Sequence, residues 1–448
     1  MRAAFALLLA LAACGSVAGS GRDAPLTPAS LPSAPESGGA IPAGHTAYSN
    51  RSLAGLFVAL THDLEWGARR PHLVRYEAPV NVAVEGPGSA SYTRFIDLYL
   101  AELRTRSEIQ ISRGPGPANL HIRFVEGARF DQTFPGISCL VALGNQDWES
   151  FHRDPNRLGG RGLETGTTQT QTTIFIPQTA APYRVRGCLL EEIAQALGPA
   201  NDLYGLGPSI FNDDAAHLWP TKLDYLMLRT LYHPNMRTGM SRQVTESAAF
   251  RVLEEINPQG RDAPPIRWAT PRALRGWQAS HQEIYSKRTS RSEQIAKAQK
   301  ARRLAARKAP GSAQHCHSLR TLGRVLARQA PADALDVLRE AADICTRVHG
   351  PEDIRLSLIA LERAIALSRQ GSARLVIQEI TAHEAKLAAY GHEERLAALY
   401  NLRANAYLAQ QQGAKSFADR RLARDWAAYA YGRDSEILAR MTEIERVQ

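Results

Sequence analysis

The stretch CLLEEIAQALGPAND, Cys188 to Asp202, holds the set of residues best spaced for chemistry. Glu191 and Gln195 lie four positions apart, so on a helix they share one face, with Gly198 a further three on. Two side chains so spaced can reach one metal ion, Asn201 can supply a third donor, and Glu192 can act as general base on a metal-bound water. A catalytic zinc wants imidazole, thiolate or carboxylate ligands. Glu191 meets that requirement, whereas the amides of Gln195 and Asn201 are weak neutral oxygen donors. Zinc affinity should drop steeply with that donor set, and Glu192 without a metal-polarised water has little to activate. A second use of the same region is an oxygen-only site, in which Glu191, Glu192, Asp202 and Asp213 or Asp214 hold calcium, magnesium or manganese. The segments HEAKL at His383 and HEERL at His392 each lack a second histidine.

These residues need a scaffold. Ser49 can cap a helix carrying Leu53, Leu56, Phe57 and Leu60 at helical spacing. A strand follows over Val80 to Val84, then a helix with Phe95, Leu98, Tyr99 and Leu103 on one stripe. Further strands are expected at Asn119 to Val125, Cys139 to Leu143 and Thr172 to Pro177, the last ending in a proline that suits a sheet edge. GTTQTQTT, Gly166 to Thr173, reads as the polar face of that edge hairpin. The helix of interest should run from Tyr183 to Leu197, packing Leu190, Ile193, Ala194 and Leu197 on the sheet.

Laid on the pattern HExxHxxGxxH, the segment gives Glu191, Glu192, Gln195, Gly198 and Asn201, and so resembles the metzincin branch of the zincins. Metzincins place a tight turn with a methionine beneath the metal. Here SIFND, Ser209 to Asp213, sits at a suitable distance, with Phe211 in place of the methionine. The match extends over roughly residues 49–240 and includes the closing helix TKLDYLMLRTLY. The whole pattern, with EExxQALG, SIFNDD and a closing GM, is similar to the exported bacterial proteins grouped as domain of unknown function 2927. That resemblance implies a zincin-like fold and no established activity. A chance match to a plain amphipathic helix is the bland alternative.

From Gln314 onward strand signals almost vanish. VHGPED, AYGHEE and AYGRDS place glycines at 350, 391 and 432, a constant period of 41. Such a period signals stacked helix pairs and resembles the long form of the tetratricopeptide repeat. The hairpins should be His315 to Gln329 with Ala332 to His349, Ile354 to Gln370 with Ala373 to Tyr390, and Glu393 to Gln412 with Ser416 to Tyr431, with a capping helix from Ser435. HCH, His315 to His317, is expected to hold a disulfide cysteine between two surface histidines. The basic run Lys287 to Lys308 reads as a solvated linker helix.

The start, MRAAFALLLALAACGS, combines one basic residue with an apolar run, the form of an export signal. Leu11-Ala12-Ala13-Cys14 resembles the lipobox of bacterial lipoproteins, which implies acylation of Cys14; an ordinary signal cut near Ala18 is the alternative. Export favours disulfides for the other four cysteines. Cys139 is expected to pair with Cys188 inside the first domain, and Cys316 with Cys345 across the first helical hairpin. The net charge of +10 then points to anionic lipid or envelope polymer and away from nucleic acid.

The expected organisation is a signal peptide over 1–13, a tether over 14–45, an α+β zincin-like domain over 46–260, a linker with basic helix over 261–312, and an all-α tetratricopeptide-like solenoid over 313–448. The expected function is recognition of a peptide, protein or cell-wall ligand by a non-catalytic domain, lipid-anchored at the bacterial cell envelope on the periplasmic side or outer membrane, with no cofactor. The alternatives are a metal-dependent hydrolase using zinc or another divalent cation, and a scaffold acting through its helical repeats.

Overall fold

The computed structural model describes residues 48–64, 68–154, 169–203, 207–212, 214–265, 276–282, 284 and 289–432. Cys14, the tether, Asp213 and the capping helix from Ser435 lie outside the described residues. Two regions of different architecture follow each other along the chain: a mixed sheet with helices, then an all-helical array.

The first region opens with α1 (Asn50–His62), capped by the Ser49 side chain accepting from the Ser52 amide. It continues through β1 (Val80–Glu85), α2 (Thr93–Ser107), β2 (Ile111–Ser112), β3 (Leu120–Val125), α3 (Gly127–Thr133), β4 (Leu140–Leu143), α4 (Trp148–Phe151) and β5 (Thr172–Pro177). Next come α5 (Pro182–Ala196), α6 (Lys222–Tyr232) and α7 (Arg242–Ile256). The strands form one sheet in the order β2-β1-β3-β5-β4, parallel except for the antiparallel β4–β5 pair.

β5 is therefore an interior strand and β4 is the edge, contrary to the reading of Pro177 as an edge signal. Leu140 pairs with Phe175 as the last register pair on the β4 side, so Pro177 lies past it. The Gln178 amide donates to Val125 on β3, and successive amides point to opposite sides. The amide that Pro177 lacks would thus face a position with no strand partner. All six residues of β5 are buried, as suits a strand covered on both faces. Of the expected polar hairpin face, residues 166–168 lie outside the described residues, Thr170 and Gln171 are exposed, and Gln169, Thr172 and Thr173 are buried. Alternation along β5 sends Ile174 and Ile176 into the main core with α1, α2 and α5, while Phe175 joins Phe130, Trp148 and Phe151 on the opposite face.

On α2 the buried stripe is Ile96, Tyr99, Leu100 and Leu103, and Leu98 is 60% exposed. Both phases of the helix offer apolar residues. Tyr99 and Leu103 belong to both phases, and the main core takes Ile96 and Leu100 with them rather than Leu98.

The array comprises α8 (Trp277–Gln282), α9 (Arg291–Lys308), α10 (Ala313–Leu326), α11 (Pro331–His349), α12 (Ile354–Arg369), α13 (Ala373–Thr381), α14 (Glu384–Ala389), α15 (Glu393–Ala409) and α16 (Gly413–Tyr431). The second member of the middle hairpin is broken at Ala382 and His383, where His383 Nδ1 lies 3.0 Å from the Ser357 hydroxyl. Gly350, Gly391 and Gly432 have φ of 90°, 72° and 72°, the left-handed conformation that ends a helix cheaply only at glycine.

The basic helix α9 is more than a solvated connector: Ala298, Ala301 and Ala305 are buried against the array, Arg302 pairs with Glu340 of α11 at 3.3 Å, and Lys300, Arg303, Arg307 and Lys308 are exposed. Because α10 is enclosed by its neighbours, His315 is buried and His317 packs 4.2 Å, ring to ring, from His281; neither is a surface histidine. The cysteines pair as Cys139–Cys188 and Cys316–Cys345, with Cα atoms 6.0 and 5.3 Å apart. Among the described residues no helix is long and apolar enough to cross a membrane.

Candidate functional site

The site is built around the C-terminal end of α5. Val185, Leu189, Leu190, Ile193 and Ala194 are buried toward the sheet, and the Cys139–Cys188 bridge ties the same helix to the start of the edge strand. An α-helix ends with carbonyls that have no partner within it. Here side chains from three distant segments take them. Gln169 donates to Ala196, the Tyr232 hydroxyl donates to Leu197 at 2.9 Å, and Arg70 donates to Gly198 at 3.0 Å. The cation is well placed at the negative end of the helix dipole, and burial lowers the Arg70 guanidinium to about 10, still protonated at neutral pH.

Gly198 is required where it stands. Its φ is +143°, and a Cβ there would lie 2.6 Å from Leu231 Cδ2 and 3.0 Å from the Val74 carbonyl oxygen.

The sequence-marked residues separate into two groups. Glu191 and Gln195 occupy the partly exposed face of α5, and the Gln195 amide donates to both carboxylate oxygens of Asp202, at 3.1 and 3.0 Å. Glu192 is buried. Asn201 turns away from this face: its amide donates to the Ala59 carbonyl of α1 at 2.9 Å, and it is 3% exposed. The donors do not fit a catalytic zinc. Two of the three are neutral amides, and one of those is committed to holding the loop on α1. Among the described residues, no group of three or more His, Cys, Asp or Glu side chains is placed to hold a metal ion.

Following the motif in sequence, the turn Ser209 to Asn212 is organised by Asp224, which sequence reasoning overlooked. The Ser209 hydroxyl donates to one carboxylate oxygen of Asp224; the Ile210 and Thr221 amides and the Thr221 hydroxyl donate to the other. Burial pushes the Asp224 carboxyl up, and these four donors oppose that shift. Thr221 and Asp224 also form a capping box on α6, and the TxxD spacing was the available signal. Phe211 is fully buried, and its carbonyl accepts from the Leu203 amide at 2.9 Å, joining the turn to the end of the motif.

The helical array closes over this turn. Arg355 of α12 bridges Asp214 at 2.7 Å and Asp353 at 3.0 Å, and it reaches the Gly207 carbonyl at 3.3 Å. His392 Nε2 lies 3.0 Å from the Ala216 carbonyl, and Gly391 approaches so near Trp219 that a Cβ would sit 2.5 Å from the indole nitrogen. The repeat glycine at 391 thus serves the junction as well as the helix end. Asp353 is buried, yet Arg355 and His217 hold its carboxyl well below the usual carboxylate range. Asp214 is committed to this ion network and so is not available to a cation site with Glu191.

A second contact seats the array on the start of α5. Arg186 forms a bidentate pair with Glu393, 3.2 and 2.6 Å, and its guanidinium lies 4.1 Å from the Tyr429 ring centroid. Tyr183 packs edge-on against Tyr431.

No curated protein and no solved structure matches this chain. Residues 50–249, the sheet region together with most of α7, match the family model described as protein of unknown function (DUF2927).

Proposed function

We propose that the chain is a lipid-anchored protein of the bacterial cell envelope whose sheet domain is zincin-like without the metal chemistry, and that it recognises a peptide, protein or cell-wall ligand at the membrane surface. The observation that supports this most is the commitment of the third donor position: Asn201 hydrogen-bonds inward to Ala59, while Gln195 is paired with Asp202. These contacts make the former ligand positions parts of a structural hydrogen-bond network. The partly exposed face carrying Glu191 and Gln195 remains the surface for recognition. Two disulfides suit an oxidising compartment. The oxygen-only alternative loses one carboxylate, because Asp214 pairs with Arg355.

The test is photocrosslinking in cells with a photoreactive amino acid at position 191, beside a peptidase assay of purified protein. Recognition without cleavage predicts a discrete adduct at position 191 and no hydrolysis that depends on Glu192. Peptide hydrolysis abolished by Glu192→Gln would overturn it.

A further inference from the structure

The hairpin of α15 and α16 turns at Gln410 to Gln412, and beside that turn apolar side chains stand in the open. Phe417 is 74% exposed, Leu408 is 55% exposed, and Leu375 in the first turn of α13 is 43% exposed. The Arg420 guanidinium donates to the Asn405 side chain at 2.7 Å, and this antiparallel pairing sets Leu408 level with Phe417. Tyr400 and Arg403 of α15 donate to Glu384 of α14 at 2.6 Å each, the antiparallel sense that brings the start of α13 beside the end of α15. Leu375 therefore belongs to the same end of the array. Scattered apolar side chains on a surface need no explanation, whereas a group of them marks a surface for interaction.

The charge around this group has one sign. Arg374, Lys415 and Arg421 are exposed, and none of the three enters an ion pair among the described residues. Arg421 follows Phe417 by one helical turn on the same stripe, and Lys415 Nζ lies 5.3 Å from the Tyr407 ring centroid, next to Leu408. The one acid within residues 370–378 and 405–421 is Asp419, which is buried and accepts from Arg403 at 2.7 and 3.0 Å. A soluble polyanion would meet the cations and leave Phe417 in water. A second copy docked by the same face would set like charges against each other. A bilayer with anionic headgroups satisfies both features, since apolar side chains enter the acyl boundary while cations stay among the phosphates.

We propose that this end of the array docks on an anionic lipid surface, with Phe417 and Leu408 in the acyl boundary and Arg374, Lys415 and Arg421 at the headgroups. The docking needs neither acylation of Cys14 nor the face of Glu191, so it stands apart from how the sheet domain is read.

The test uses the full chain with Cys14→Ser and Ala414→Cys. The other cysteines are bridged, so an environment-sensitive nitrobenzoxadiazole label goes to the exposed position 414 alone, and no acyl chain holds the protein to the vesicle. On vesicles of phosphatidylcholine mixed with phosphatidylglycerol the label's emission should rise and shift to the blue, and on phosphatidylcholine alone it should not. The lipid concentration at half effect should increase about fivefold in Lys415→Gln and roughly a hundredfold in Arg374→Gln/Lys415→Gln/Arg421→Gln. Phe417→Ser should raise it about tenfold. All four side chains are exposed, so each variant should keep the melting temperature of the parent chain. An equal response on neutral vesicles overturns the proposal, as does an unchanged half-effect concentration in the triple variant. A lipid-free response that grows with protein concentration would assign the face to a second copy. A response to anionic vesicles seen only after removal of residues 433–448 would assign it to the chain's own end, and either result overturns the proposal.

Discussion

Replacing Arg355 by methionine should uncouple the helical array from the segment that carries Gly207 and Asp214. The guanidinium is 2% exposed and lies between two carboxylates, Asp214 and Asp353, each itself almost fully buried. Removing the cation leaves both acids in a low-dielectric setting without their partner. Breaking a buried pair in this way costs about 3–5 kcal/mol, most of it the penalty of the stranded charge. At about 2–4 °C per kcal/mol for folding units of roughly 150–250 residues, the melting temperature should fall by roughly 6–20 °C. The assay is thermal unfolding of the full chain by circular dichroism at neutral pH, beside Asp214→Asn/Asp353→Asn/Arg355→Met, which removes all three charges and should recover much of the loss. The pH dependence carries a sign as well. In the wild type Asp353 is held low, so its contribution is complete above the unfolded carboxylate pKa and fades as pH falls through the folded one. In Arg355→Met the stranded Asp353 gains from protonation, so the deficit should shrink on acidification. A drop of less than about 2 °C at neutral pH would refute the reasoning.

Gly198→Ala should cost about 2–4 kcal/mol in urea unfolding, since the backbone is left-handed and the new methyl strikes Leu231 and the Val74 carbonyl. Replacing both Cys316 and Cys345 by alanine should cost about 3–4 kcal/mol for a bridge spanning 29 positions, read as a lower urea midpoint. His62, His281 and His392 are each lowered by burial to about 4. Stability from these neutral histidines is present above the unfolded value of 6.5 and is lost as pH falls from there toward 4. The urea midpoint should accordingly decrease between about pH 7 and about pH 5, and a midpoint that stays flat would contradict the burial.

Much of this architecture was legible because it rests on local periodicity. The buried face of α5 followed from Leu190, Ile193, Ala194 and Leu197, and the helical hairpins followed from glycines 41 residues apart. Both cysteine pairs were readable from which elements each thiol sits on. Three features were not legible. On α2 two overlapping apolar phases compete, and only the position of the core decides against Leu98. Pro177 argues for an edge only where its missing amide would face a neighbour, and register, which depends on distant β3 and β4, settles that. The junction rests on single charged or small residues separated by well over a hundred positions, Asp214 with Arg355 and Arg186 with Glu393. Nothing in local pattern marks such partners before the chain has folded.

The most direct test of the account is elemental analysis of the purified full chain, run on protein dialysed against a zinc-buffered solution without strong chelator. With amides at positions 195 and 201, and the latter held on Ala59, the account predicts zinc far below one ion per chain. One tightly held zinc per chain, lost in Gln195→Ala, would contradict it.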